Sequence, residues 1–309
     1  MVLARRMLEL YAGTEERLVS ATDTTDLVSR ERGRLFGIAY RLLGTVSDAE
    51  DAVQEAFLRW EEADQGAIEN PAGWVTTVIT RYCLDQLKSA RKQRETYIGP
   101  WLPEPLLTVG GMVADDPAER VTLDESVSLA MLVVLETLSA AERAVFVLHE
   151  VFGIDFEEIA GMVDRTPAAC RQLASRARRH VRERRPRFDP DAAEQRRVVT
   201  ALLDAVSKGD LNALLPLLDP SVVLHADGGG RVRAAGRPVV GVEQVAKVMM
   251  GGRTWYPGYA TQLIAMNGGT GVLVTLEGKV IGLIAVTAAG GRITEIDMIV
   301  NPEKLRGAG

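Results

Sequence analysis

Apolar residues in the first third of the chain recur at helical spacing. Leu35, Ile38, Ala39 and Leu42 make one stripe, which Gly44-Thr45 ends. Ser47-Asp48-Ala49-Glu50 reads as a capping box for the next helix. In that helix Ala49, Ala52, Val53, Ala56, Phe57 and Trp60 fall on one face. Asp48, Asp51, Gln54, Glu55 and Arg59 fall on the other. Asn70-Pro71 starts a further helix that runs through Trp74, Val75, Val78, Ile79, Tyr82, Cys83 and Leu87. It ends in Lys88, Arg91, Lys92 and Arg94. Together these predict a helical block over about residues 26–96.

A second helical block is predicted over 118–186. Ser139-Ala-Ala-Glu142 reads as a capping box. Residues 155–179 then spell a short amphipathic helix, a tight turn and a second helix rich in arginine. Asp155 is placed to cap the first of these, with Glu158 closing a box. Thr166-Pro167 supplies an N-cap and a proline at the first helical position, where its missing N–H costs nothing. Cys170, Ala174 and Ala177 form an inward stripe; Arg171, Gln172, Ser175, Arg176 and Arg179 lie opposite. This is the layout of a helix-turn-helix, whose second helix enters the DNA major groove. Arginine can bridge guanine O6 and N7 or clamp phosphates, and glutamine can pair with adenine. A two-helix hairpin with a solvated basic face is the plainer reading, but caps, turn and charge agree on the first.

Residues 97–117 between the blocks are rich in proline and glycine: Tyr97-Ile-Gly-Pro-Trp-Leu-Pro-Glu-Pro105, Gly110-Gly111 and Asp115-Asp116-Pro117. Prolines bias such a linker to extended conformations. With Trp101, Leu102, Leu106 and Leu107 it is too apolar to float freely and is expected to dock. Pro186 and Pro190 punctuate the chain again. Beyond them, over 191–306, the grammar changes. Helices are predicted over Ala192–Lys208, Leu211–Leu218 and Val242–Met250. Strands are predicted over Val222–Ala226, Arg231–Ala234, Gln262–Met266, Val272–Leu276, Val280–Thr287 and Ile293–Val300, with glycine pairs and triplets at the turns. The late strands suggest an antiparallel meander, hence an α+β domain. Residues 1–24 fit no element.

Charge localises the chemistry. The 309-residue chain carries a net −6, which excludes a generally basic nucleic-acid binder. Yet Arg165–Arg187 holds nine arginines against one acid, Glu183, a local excess of +8. A basic stripe on an acidic protein implies a local phosphate contact. Cys83 and Cys170 are far apart in helical patterns and read as buried thiols in a reducing cytosol, without zinc spacing. No run approaches the ~18 apolar residues of a membrane helix. The N-terminus lacks an export signature, so a cytoplasmic protein with no membrane partner is expected. Gly228-Gly229-Gly230 is not a phosphate loop, because no Gly-Lys-Ser/Thr follows. His225 and Asp227, two apart on one strand, share a face and could cooperate. A satisfied or solvent-facing histidine is the simpler account.

These residues resemble a bacterial sigma factor of the extracytoplasmic-function class. Residues 48–60 look like its second conserved region, 74–94 like the helix that reads the −10 element, and the helix-turn-helix like the fourth region, which reads the −35 element. The third block is similar to a SnoaL-like domain of the NTF2-like fold. Three patches, Trp101-Leu-Pro-Glu-Pro105, Asp227-Gly-Gly-Gly-Arg-Val232 and Asn301-Pro-Glu-Lys-Leu305, narrow the likeness to the SigJ-type branch, in which that domain is fused to the sigma regions. The implied architecture is two all-α domains followed by an α+β cone.

The resemblance implies roles by position. Asp48, Asp51, Gln54 and Glu55 would bind the β′ clamp helices of core RNA polymerase, although a solvated helix face has the same look. The loop Asp64–Gly73 would hold a flipped base of the −10 element. Trp74 and Tyr82 would stack on bases, or simply pack. Arg81, Lys88, Arg91 and Lys92 would lie along the −10 strand, with Arg94 beside them. Arg171, Gln172, Ser175, Arg176 and Arg179 would read the −35 box. Leu173 departs from the polar or basic residue many relatives carry, and either packs or touches a thymine methyl. Trp101, Leu102, Pro103, Asn301, Pro302, Lys304 and Leu305 would form a regulatory contact between linker and tail, replacing a separate anti-sigma protein. No catalytic residue, metal or cofactor is implied, and a small ligand in the third domain stays open. Two other readings stand beside this one: a ligand-responsive regulator that never joins polymerase, and a SnoaL-like isomerase or hydrolase on a DNA-binding module.

Overall fold

The computed structural model of the chain describes residues 27–94, 97–108, 128–184 and 192–308. Residues 1–26, the linker's Gly110, Gly111 and Asp115–Pro117, and the Pro186 and Pro190 joint lie outside the described residues. Helix α1 (27–43) buries Leu35, Ile38, Ala39 and Leu42. Gly44 ends it at a φ of +81°, and a Cβ there would lie 2.7 Å from the Trp101 ring. Both the backbone and the close approach of the linker therefore require glycine. After that turn Thr45 is extended and caps α2 (Val46–Glu62), its hydroxyl accepting from the Asp48 N–H at 3.2 Å. The expected box at Ser47 is thus displaced, because the left-handed glycine lets the helix begin two residues early.

Helix α3 (Pro71–Arg94) is capped by Asn70, which accepts from the Gly73 N–H at 3.0 Å. Helices α4 (Leu129–Glu136) and α5 (Ala140–Phe146) follow, the latter with the expected Ser139–Glu142 capping box formed in both directions. A π-helical turn, Val147–Val151, leads to α6 (Phe156–Val163) and α7 (Pro167–Arg184). Asp155 starts α6 without a side-chain cap, so the box with Glu158 does not form. The α6–α7 turn pivots on Asp164 at φ +53°, a conformation aspartate tolerates better than most residues. Thr166 caps α7 as predicted.

The third block begins with α8 (Ala192–Lys208) and α9 (Leu211–Leu214), which tightens into a single turn. Its strands are β2 (Leu218–Asp227), β3 (Val239–Val240), β4 (Ala260–Met266), β5 (Gly269–Leu276), β6 (Lys279–Ala289) and β7 (Arg292–Ile299), with α10 (Val242–Trp255) before β4. The meander β4–β7 is antiparallel as expected. Two features differ. Arg231–Ala234 is a turn and loop, since Gly229 and Gly230 hold positive φ and the Arg231 N–H closes on the Gly228 carbonyl at 3.0 Å. And β2 pairs in parallel with β7. A linker strand, β1 (Leu107–Thr108), completes the sheet order β1-β4-β5-β6-β7-β2-β3.

The sheet separates two apolar cores. Val222, Leu224, Val286 and Ile296 face α8 and α10, where Val199, Leu202 and Val245 close the inner core. On the opposite face Met266, Leu283 and Ile299 join the core of the helical blocks through Leu102 and Leu305. Alternation along β2, β6 and β7, interrupted by register shifts near Leu218 in β2 and Ala288 in β6, makes this two-sided burial possible.

Arg143 ties the two helical blocks together. It is 2% exposed, donates to the carbonyls of Leu135 (2.8 Å) and Leu42 (2.5 Å), and pairs with Glu136 at 2.7 Å. Truncating it leaves a largely buried carboxylate and two carbonyls without this donor. Arg143→Ala is expected to cost on the order of 3 kcal/mol in denaturant unfolding. Arg178→Ala, which removes an exposed pair with Glu150, is expected to cost under about 1 kcal/mol.

Candidate nucleic-acid interface and interdomain clamp

The amphipathic period of α7 sorts its residues cleanly. Cys170, Leu173, Ala174 and Ala177 are buried; Arg171, Gln172, Ser175, Arg176 and Arg179 are exposed along one side. Burial pushes the Cys170 thiol up. Leu173, at 8% exposure, packs inward. Arg171 pairs with Glu157 at 2.6 Å, Arg176 with Glu142 at 3.1 Å and Arg178 with Glu150 at 2.7 Å. Exposed pairs of this kind are worth ~0–1 kcal/mol each, so these pairings hold the guanidiniums only weakly.

On α2, Asp48, Asp51 and Gln54 are exposed. Glu55 is partly covered and accepts from Arg59 at 2.8 Å. Their opposite face buries Ala49, Ala52, Val53, Ala56, Phe57 and Trp60. On α3, Trp74 is partly buried and stands edge-on to Trp60, ring centroids 5.6 Å apart. Tyr82 packs against the same core. Lys88 is exposed and pairs with Asp85 at 2.8 Å. Arg91, Lys92 and Arg94 continue α3, but their side chains lie outside the described residues. Arg81 donates to the Gly161 carbonyl of α6 at 2.8 Å. The helix expected at one DNA element therefore touches the helix-turn-helix expected at the other.

The linker is clamped at both ends. Asp227, fully buried at the end of β2, accepts from the Tyr97 hydroxyl (2.5 Å), the Leu102 N–H (2.9 Å) and the Gly229 N–H (3.1 Å), and pairs with Lys304 at 2.7 Å. Lys304 also donates to the Leu102 carbonyl and lies 4.0 Å from the Trp101 ring centroid. Asn301 donates to the Tyr97 hydroxyl at 2.9 Å. A Cβ on Gly229 would fall 2.4 Å from Asn301, so tail and loop interlock only with glycine there. Burial, then the bond to Asp227, pushes the Tyr97 phenol up and keeps it a donor. Farther along, Glu104 accepts from the Val46 N–H at 2.9 Å and its own N–H donates to the Gly44 carbonyl. A carboxylate thus sits at the positive end of α2, although burial pushes Glu104 up. Asn267, in the Asn-Gly turn between β4 and β5, accepts from the Leu106 N–H and donates to Tyr40, whose hydroxyl donates to the Glu104 carbonyl.

Of the expected linker and tail residues, Trp101, Leu102, Asn301, Lys304 and Leu305 meet in the clamp or the shared core. Pro103 is buried beside them, while Pro302 is exposed and only opens the turn Pro302–Lys304. Sequence reasoning missed Asp227, Tyr97, Asn267, Tyr40 and Arg143 as the partners that hold these elements. Asp227 does not cooperate with His225: its carboxylate is filled by linker and tail, whereas His225 bonds to Asp297 and Glu295.

Residues 27–93 match Sigma-70 region 2, and residues 128–181 match Sigma-70, region 4, which sets the class as a two-region sigma factor. Over 289 residues the chain is 41% identical to the ECF RNA polymerase sigma factor SigJ of Mycobacterium tuberculosis (strain ATCC 25618 / H37Rv), covering 90% of this chain and 91% of that one. The chain belongs to the extracytoplasmic-function (ECF) RNA polymerase sigma factors. It is also 39% identical over 279 residues to the probable ECF sigma factor SigI of M. tuberculosis (strain CDC 1551 / Oshkosh), covering 89% and 92%. The crystal structure of M. tuberculosis SigJ superposes with a TM-score of 0.75 at 36% identity, covering 92% of this chain and 98% of that one. Membership selects the polymerase-joining reading over a stand-alone regulator. Among the described residues no helix is long and apolar enough to cross a membrane.

Asp227→Ala removes the shared acceptor and strands the Lys304 ammonium in a buried place, a loss of about 3 kcal/mol. Amide exchange at Leu102 is expected to accelerate roughly 100-fold, as the corresponding increase in local opening requires. Arg231→Ala, which breaks only the exposed pair with Glu303, is expected to leave it unchanged.

Proposed function

We propose that this sigma factor is held closed by its own third domain and opened when the linker is released. The single observation behind this is the Asp227–Lys304 pair closing on the main chain of Leu102. The same linker caps α2, the helix proposed to dock on core polymerase through Asp48, Asp51, Gln54 and Glu55. Carboxylates on that face would steer it to the basic β′ clamp helices.

The proposed DNA contacts divide between two helices. Arg171, Gln172, Ser175, Arg176 and Arg179 of α7 would enter the −35 major groove. Arg81, Lys88, Arg91 and Lys92 of α3 would follow the −10 strand, with Trp74 at its edge. Boxes about 25 base pairs apart, at ~3.4 Å per pair, lie on the order of 80 Å apart. The Arg81–Gly161 and Arg143–Leu42 contacts hold the two helical blocks that carry these helices side by side. Both contacts must part before the two boxes can be gripped together. The third domain would then replace a separate anti-sigma protein, since tethering raises its local concentration to ~mM.

Run-off transcription with purified core polymerase on genomic fragments tests the reading. Deleting residues 301–309 is expected to raise output at least about fivefold while the same start sites are used; unchanged output overturns the regulatory role. Asp51→Lys is expected to weaken core binding about 10-fold. Arg171→Ala with Arg176→Ala is expected to lower −35-dependent output by about 10- to 100-fold, ~1–3 kcal/mol.

A further inference from the structure

The sheet face that carries the clamp holds a second polar cluster that neither promoter binding nor linker docking uses. In the parallel pairing of β2 with β7, His225 lies opposite Asp297 and Val223 opposite Glu295. Glu295 and Asp297, two apart on β7, therefore share a face with His225. His225 Nδ1 is 3.0 Å from Asp297 Oδ1 and 3.1 Å from Glu295 Oε1. One ligand atom from each of the three residues lies within 4.8 Å of the other two.

We propose that His225, Glu295 and Asp297 bind one divalent first-row transition-metal ion of the zinc class. Three arguments converge. The first is geometric: bonds of ~2.0–2.1 Å from a single ion to nitrogen and oxygen place neighbouring ligand atoms about 2.9–3.4 Å apart. The Nδ1 distances to both carboxylates already fall in that range. The second is chemical. One imidazole with two carboxylates is a mixed nitrogen–oxygen set suited to zinc and its neighbours, and three protein ligands leave a position for water or a further ligand.

The third argument is electrostatic. Asp297 is 1% exposed, and Glu295 and His225 are only 17% and 21% exposed. Two carboxylates so withdrawn from water need compensation. Among the described residues, Glu295 and Asp297 form ion pairs with His225, so even an imidazolium leaves these three groups one charge negative. A dication neutralises it. Adjacent main-chain-paired strands hold the ligands without further ordering. The site is separate from the apolar core on the other face, where Leu224 and Ile296 pack. It is also separate from the clamp, because Asp227, two residues along β2, is occupied by linker and tail. Ligands 70 residues apart in the chain explain why no sequence spacing announces them.

The full chain, stripped with EDTA and dialysed, is titrated with Zn2+ by calorimetry and with Co2+ by visible absorption. One equivalent per chain is expected. Binding should weaken at least about 100-fold in His225→Gln and in Asp297→Asn, and at least about 10-fold in Glu295→Gln. It should stay unchanged in His149→Gln, a histidine stacked on Phe156 far along the chain. Circular dichroism reports folding. Should Asp297→Asn unfold, His225→Gln and the partly exposed Glu295→Gln decide alone. Absence of stoichiometric binding, or binding that persists in His225→Gln, overturns the site and identifies a metal-free hydrogen-bonded cluster. No transcription is measured, so either result leaves the clamp reading untouched.

Discussion

The buried carboxylate of Asp227 organises the way three segments distant in sequence meet. A lone charge withdrawn from water is costly, and it persists only when donors surround it. Here the donors come from the linker hydroxyl and amide, the glycine loop and the tail ammonium. Each of those segments is weakly structured by itself. Linker residues 97–106 have no regular structure, and the tail is two short turns, Pro302–Lys304 and Arg306–Ala308. Their positions follow from Asp227, which in turn is fixed by the pairing of β2 with β7.

From this point order spreads into the sigma regions. Leu102, placed by its main-chain contacts, enters the helical core, where burial of such a side chain contributes ~1.5–3 kcal/mol. Two residues later Glu104 meets the N-terminus of α2. Leu106 then joins Asn267 and, through it, Tyr40 of α1. Backbone, helix cap and core are thus linked along one short stretch. Asp227 on β2 and the N-terminus of α2 are thus joined by contiguous contacts, without a long-range mechanism. Arg143 contributes the complementary link, between α1 and the second helical block.

Legibility in the sequence followed the distance over which each feature is determined. The helix-turn-helix could be read almost completely, because Thr166, Pro167 and the Cys170–Ala174–Ala177 stripe act within a few residues of one another. The Ser139–Glu142 box was equally local. The expectation that an apolar linker must dock also held, since Trp101 and Leu102 cannot stay in water cheaply. What escaped was set by remote partners. Arg231–Ala234 has strand-like composition, but two left-handed glycines before it curl the chain. The parallel β2–β7 pair and strand β1 join segments far apart in the chain. His225 and Asp227 share a face as read, yet each found partners on other elements. The Ser47 box failed because the preceding turn shifted the helix start, and Asp155 starts its helix without a side-chain bond.

The linker also does something for the sheet that encloses it. It meets β2 at Asp227 and reaches β4 at Leu107 and Thr108, so it crosses the face beneath β7, β6 and β5 and supplies the terminal partner of β4. Withdrawing it would add the main chain of Ala265 and Met266 to the open border of β4, and bare strand borders recruit other chains. A molecule opened in the way proposed above would be more prone to self-association. Its open form would therefore be best suited to a brief existence, passed directly to the transcription machinery instead of accumulating free.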